Sequence, residues 1–107
     1  KQHKLQFHHI FPRAILKGHY RPVIVNDIAN LSFIGGKTNQ YISAKAPGVY
    51  FPDVIEKQGP GSFASQCIPT DEALLTVDTY PQFLAKRRKM ICERLNQYLE
   101  QSRMFQG

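Results

Sequence analysis

Long apolar runs are missing from this chain of 107 residues. None approaches the ~20 residues needed to cross a bilayer, so no membrane association is expected. Cysteine is scarce as well. Cys67 and Cys92 lie far apart in sequence and form neither a disulfide framework nor a C-x-x-C knuckle, which predicts two reduced thiols in a cytoplasmic protein. No charged-then-apolar leader ends in a small-residue cleavage site, and secretion is not expected. Acidic residues are few. With 8 Asp plus Glu against 14 Lys plus Arg, the formal charge is +6, a balance that favours a polyanionic partner. A hydrophobic content of 42% and a charged content of 21% belong to a globular chain rather than a disordered one. The length suits a single domain with one modest core. Since the chain starts at Lys1 rather than Met, a fragment of a longer protein is expected.

Three stretches differ in pattern. Leu5–Pro12 mixes polar residues with apolar, β-branched and aromatic ones and stops at Pro12, which predicts a short strand. Residues 13–29 contain Gly18 and Pro22 and read as a loop with one helical turn around Arg13–Lys17. The run from Asn30 to Gly35 predicts a second strand, Gly35-Gly36 a turn, and Lys37–Lys45 a short helix stopped by Pro47. Gly48–Pro69 is broken by prolines and glycines. A helical turn or two is expected within Val49–Lys57, and a flexible loop over Gln58–Ser62. The last third carries Tyr80, Phe83, Leu84, Ile91, Leu95, Tyr98 and Leu99 at helical spacing, with Asp78 or Thr79 as cap and Pro81 in the first turn. Within it, Lys86-Arg87-Arg88-Lys89 reads equally as a solvated face or as a ridge for phosphates.

Some motifs are misleading. Gly36-Lys37-Thr38 resembles the end of a phosphate-binding P-loop, but position 31 is Leu31 where that loop needs glycine, so a nucleoside-triphosphate site is excluded. His3 and His19 stand without ligand spacing. More informative are His8-His9-Ile10-Phe11-Pro12, then Asn30-Leu31, then Asn39 and Lys45. In a strand the side chains of His8 and His9 point to opposite faces, so one imidazole can hold a metal while the other addresses a different part of a site. A helix after the Gly-Gly turn could bring Asn39 back over that strand.

These residues resemble the HNH nuclease motif, also called ββα-metal or His-Me finger. That motif is usually written as Asp-His-Ile-x-Pro, a middle Asn, and a final Asn or His on a helix. More narrowly, Asn30-Leu-Ser-Phe-Ile-Gly-Gly-Lys-Thr-Asn39, then Ser43-Ala-Lys45-Ala-Pro47 and Tyr50, resemble the C-terminal HNH domain of GmrSD-type modification-dependent restriction enzymes. Cys67-Ile68-Pro69, Tyr80, Phe83-Leu84 and Arg87-Arg88-Lys89-Met90-Ile91 extend the likeness, which covers Phe7 to Leu99.

The resemblance implies an α+β domain with a ββα-metal core over residues 5–50. A loop-rich middle would follow over 51–70, then a C-terminal helical cover over 71–105 that buries the stripe from Phe83 to Leu99. It implies metal-dependent hydrolysis of DNA phosphodiester bonds in a restriction or defence protein. His9 matches the general base, with an ordinary pKa of ~6.5 suited to neutral pH. Asn30 matches the residue that steadies the site and orients the base. Asn39 matches a metal ligand, and His8 stands where the family has an aspartate ligand. Lys37, Lys45 and Arg21 are the expected phosphate contacts. A carboxylate–amide pair suits Mg²⁺, whereas an imidazole shifts preference toward Mn²⁺, Ni²⁺ or Zn²⁺, with Asp27 or Asp53 available to complete the shell. An N-terminal ParB-like nucleotide-hydrolysing domain is the implied partner in the full-length protein, and double-strand cleavage would need two copies. The competing readings are a non-catalytic DNA-binding module that keeps the same fold, and a helical scaffold whose histidines and asparagines are structural.

Overall fold

Strand β1, Leu5–His9, pairs antiparallel with β2, Leu31–Gly35, in a register that sets Leu5 opposite Gly35, His8 opposite Ser32 and His9 opposite Leu31. The computed structural model describes residues 5–35, 45–58 and 61–106. Among these the two strands form a single small sheet, and helices supply most of the rest, so the architecture is mixed α and β. Two strands alone are marginal in water, so this hairpin depends on what packs against it.

Between the strands the chain makes two short helical segments and a 3-10 turn. β1 stops at His9, short of the expected end at Pro12, which instead precedes α1, Arg13–Leu16, where one turn is expected. Gly18 at φ +86° reverses the chain, a conformation that costs glycine nothing. Pro22 then opens α2, Pro22–Val25, from the first helical position, where its missing N–H is harmless. Asp27 accepts from the Ala29 N–H at 2.8 Å and caps the 3-10 turn Ile28–Asn30, which leads directly into β2.

After β2, the expected helix over Lys37–Lys45 lies outside the described residues except at its end, where Lys45 precedes α3 and is not helical. Helix α3, Pro47–Gln58, is longer than the expected turn or two and carries Pro52 inside it. Burial of Tyr50, Phe51 and Val54 on one face outweighs the hydrogen bond that Pro52 forfeits, and Pro52 itself faces solvent. Of the expected loop over Gln58–Ser62, residues 59–60 lie outside the described residues, while Gln58 ends α3 and Gly61 starts the short α4, Gly61–Ser65.

The exit from α4 uses a left-handed residue. Cys67 at φ +56° donates its N–H to the Ala64 carbonyl at 3.1 Å, and Ile68 N–H donates to Phe63 at 3.0 Å. These paired bonds make a Schellman close, with cysteine where glycine is usual. Cys67 is buried and Cys92 exposed, both as free thiols.

The core gathers around Phe11. Its ring meets Tyr80 edge-on at 5.0 Å and Phe83 at 4.9 Å, and Tyr20 lies 5.1 Å from Tyr80. Tyr80 and Phe83 sit at the start of α5, a 27-residue helix over Tyr80–Gln106. Its entry is a 3-10 turn, Val77–Thr79, capped by Thr76, which exchanges hydrogen bonds with Thr79 in a capping box. Thr79 therefore takes part in the cap, whereas Asp78 does not. Pro81 falls in the first turn, as expected.

The expected burial of the whole stripe from Phe83 to Leu99 is not what the fold does. Phe83 and Leu84 are buried, but Ile91 is 37% exposed, Leu95 54%, Tyr98 64% and Leu99 50%. The reason is length. At 1.5 Å per residue such a helix runs about 40 Å, far beyond a core built on a two-stranded sheet. The packed part ends at Arg87, so the distal turns add little to stability.

Phe83→Ala should therefore cost about 3–5 kcal/mol by loss of burial and an unfilled cavity. Leu95→Ala should change stability by less than about 0.5 kcal/mol. Urea denaturation of both variants measures the contrast, and equal losses would refute the boundary at Arg87.

Candidate functional site

His8 and His9 end β1 and, as adjacent strand residues, point to opposite faces. Their surroundings differ accordingly. His9 is half-buried, and its Nε2 lies 2.8 Å from Oδ1 of Asn26. A carboxamide oxygen only accepts, so Nε2 carries the proton and donates. The lone pair of the neutral ring is then on Nδ1, which makes no hydrogen bond among the described residues.

His8 has a different environment. Burial, and then the charge of His9, hold its pKa below the ordinary histidine value, so it is neutral at neutral pH. Its Nε2 is buried with no hydrogen-bond partner among the described residues. Ser32 lies directly across the hairpin on the same face, and its Oγ is likewise buried and partnerless. Two orphaned polar atoms at one register position are unusual, because buried polar groups are ordinarily paired.

Asn30 has no exposed surface. Its carboxamide oxygen accepts from the Phe11 N–H at 2.8 Å, and its Nδ2 donates to the Phe11 carbonyl at 3.1 Å and the Val25 carbonyl at 3.0 Å. Its own carbonyl accepts from the Ile10 N–H at 2.7 Å, one residue past His9. Asn30 therefore joins the chain after His9 to the chain before Asn26. Being sealed from solvent, it touches no substrate. It acts through the backbone on either side of the His9–Asn26 bond, as a positioning residue.

Three more side chains hold the same two loops by their carbonyls. Tyr50 donates to Ile10 at 2.6 Å and Tyr80 to Ile24 at 2.6 Å. Burial raises the pKa of both phenols, so both remain donors. Arg87, from the basic run, is buried. It donates from Nη1 to Ala29 at 3.1 Å and to Leu31, and from Nη2 to Gln66 at 3.1 Å. Desolvation lowers its pKa, yet a guanidinium stays charged near neutrality. Arg88 pairs with Asp27. Neither half of the expectation for this run holds for Arg87, which is neither solvated nor open to phosphate. Asp27 is engaged by Arg88 and by the Ala29 N–H.

The expected phosphate and metal contacts divide as follows. Arg21 is exposed at the start of α2, and Lys45 is exposed ahead of α3. Lys37 and Asn39 lie outside the described residues. Among the described residues no group of three or more His, Cys, Asp or Glu is placed to hold a metal. Asn26 escapes sequence reasoning because an asparagine before an Asp-capped turn is an ordinary loop residue, and only the fold sets it opposite His9.

No protein-family model, curated protein or solved structure matches this chain.

Asn30→Ala would orphan the Phe11 N–H and the Phe11 carbonyl, and leave the Val25 carbonyl only the Tyr80 hydroxyl at 3.4 Å. At about 1–3 kcal/mol for each buried group left unpaired, a loss of at least about 2 kcal/mol is expected in urea denaturation. Asn30→Asp should not rescue it, because a carboxylate would face two carbonyls. A change under about 0.5 kcal/mol would show that the joint is not structural.

Proposed function

We propose that this chain is a metal-dependent DNA endonuclease domain of the HNH kind, with a ββα-metal core, acting in a restriction or defence protein. The observation that carries the reading is His9 at the end of β1, anchored through Nε2 by Asn26, with Nδ1 making no hydrogen bond among the described residues. A residue serving only the fold has no need of that polarity. With Nε2 held, Nδ1 removes a proton from water, and the resulting hydroxide attacks phosphorus as the 3′-oxygen leaves. Asn30 keeps the two sides of the His9–Asn26 bond in register.

The donor chemistry fits a divalent cation at His8. A neutral imidazole with a buried, partnerless nitrogen has the lone pair that a metal takes, and Ser32 Oγ faces the same side of the hairpin. Asn39 is the second ligand that the resemblance implies. When bound, the ion stabilises negative charge on the phosphate and the departing oxygen. Histidine in place of a carboxylate favours Mn²⁺, Ni²⁺ or Zn²⁺ over Mg²⁺. The excess of basic residues supports a DNA substrate. The full-length partner would be a ParB-like nucleotide-hydrolysing domain, with two copies acting together on both strands.

Nicking of supercoiled plasmid tests this. Relaxed circles should form with Mn²⁺ and not with EDTA, and His9→Ala should lower the rate by about 10²–10⁴-fold, the usual loss on removing a general base. Equal nicking by the variant would overturn His9 as base. Salt-sensitive binding without nicking in any metal would assign the chain to DNA binding alone.

A further inference from the structure

Next to the His9–Asn26 bond lies a cleft of about 620 Å³ whose lining includes Arg13, Lys17, Gly18, Tyr20, Pro22 and Asn26. The local chain dictates its shape. Gly18 at φ +86° sends the backbone sharply from α1 to α2, leaving the space between them open. Tyr20 gives it a firm wall, because its hydroxyl donates to the Val77 carbonyl at 2.7 Å and its ring packs on Tyr80.

The cleft has one sign of charge. Arg13 and Lys17 stand a helical turn apart, at i and i+4, so they lie on the same side. Both are exposed, and no acidic residue contributes to the lining. The ion pairs of Arg88 with Asp27 and of Arg103 with Glu100 involve neither of these two cations. Asn26 forms part of the wall. Its Oδ1 is taken by His9, and its carboxamide N–H donors make no hydrogen bond among the described residues. A guanidinium, an ammonium and an amide in one pocket form a set of donors with no acceptor to match, and the ligand that matches it is an oxyanion. The volume falls within the usual range of about 300–1,000 Å³ for ligand sites, room for more than a bare phosphate.

We propose that the cleft between α1 and α2 seats a backbone phosphate of the bound DNA strand, next to the scissile one, held by Arg13, Lys17 and the Asn26 carboxamide. This rests on the nuclease reading above. Asn26 then links the two events, since the same side chain that receives the His9 proton donor also meets the strand. A phosphate in the cleft fixes the carboxamide orientation that His9 needs.

Salt dependence of binding reads this directly. Each phosphate contact contributes a slope of about −0.9 to log K against log salt on duplex DNA. In a His9→Ala background with Mn²⁺, Arg13→Ala/Lys17→Ala should flatten the slope by about 1, the one phosphate lost, and weaken duplex binding at least about tenfold near 0.1 M salt. Arg94→Ala/Arg103→Ala removes the same charge from the distal half of α5 and should leave the slope unchanged. An unchanged slope in Arg13→Ala/Lys17→Ala, in a chain with wild-type His9 that still nicks plasmid, would overturn the cleft and leave the nuclease reading standing. Absence of both binding and nicking in the wild-type chain would overturn both.

Discussion

The structure depends on satisfying the backbone of two loops that a two-stranded sheet cannot reach. Residues 10–12, Val25, Ala29 and Asn30 are buried, and there an unpaired carbonyl or N–H costs free energy. Side chains supply the missing partners. Asn30 answers Phe11 and Val25, Tyr50 answers Ile10, Tyr80 answers Ile24, and Arg87 answers Ala29 and Leu31. Asn30 is the joint of this set, because it contacts both loops at once. Since His9 precedes one loop and Asn26 lies in the other, the geometry of their hydrogen bond follows from the joint.

This arrangement explains how so small a sheet carries a site with defined polarity. Phe11 is fixed twice, by its backbone through Asn30 and by its ring against Tyr80 and Phe83. Tyr80 in turn joins the helix α5 to Ile24 and packs its ring at a tilt against Tyr20, a wall of the basic cleft. Core packing and site are therefore one network, and loosening either end moves the other.

Much of this was legible from residue pattern, and the exceptions have physical causes. The two strands, the turn at Arg13–Leu16 and the start of the long helix show clear periodicity or a stop signal. Asn30 stands out through the resemblance, although its burial does not. Arg87 was hidden in a run of four cations, because periodicity cannot tell which of four neighbours turns inward to meet carbonyls. The outer half of the stripe was misread for a related reason: helical spacing reports a face, and how far the core extends along that face is a tertiary property. Helix α3 shows the reverse, with tertiary burial of Tyr50 and Phe51 overriding the discouragement from Pro52. Asn26 had no signal of its own.

On the proposed reading, Asn26 holds Nε2 of His9 and Nδ1 serves as the base. Long-range ¹⁵N–¹H correlation spectra of the histidine rings measure this most directly, at a pH where the ring is neutral. His9 is expected to carry its proton on Nε2 and to have a bare Nδ1, and Asn26→Leu is expected to abolish this preference. A proton on Nδ1 of His9, or a tautomer mixture indifferent to Asn26, would contradict it.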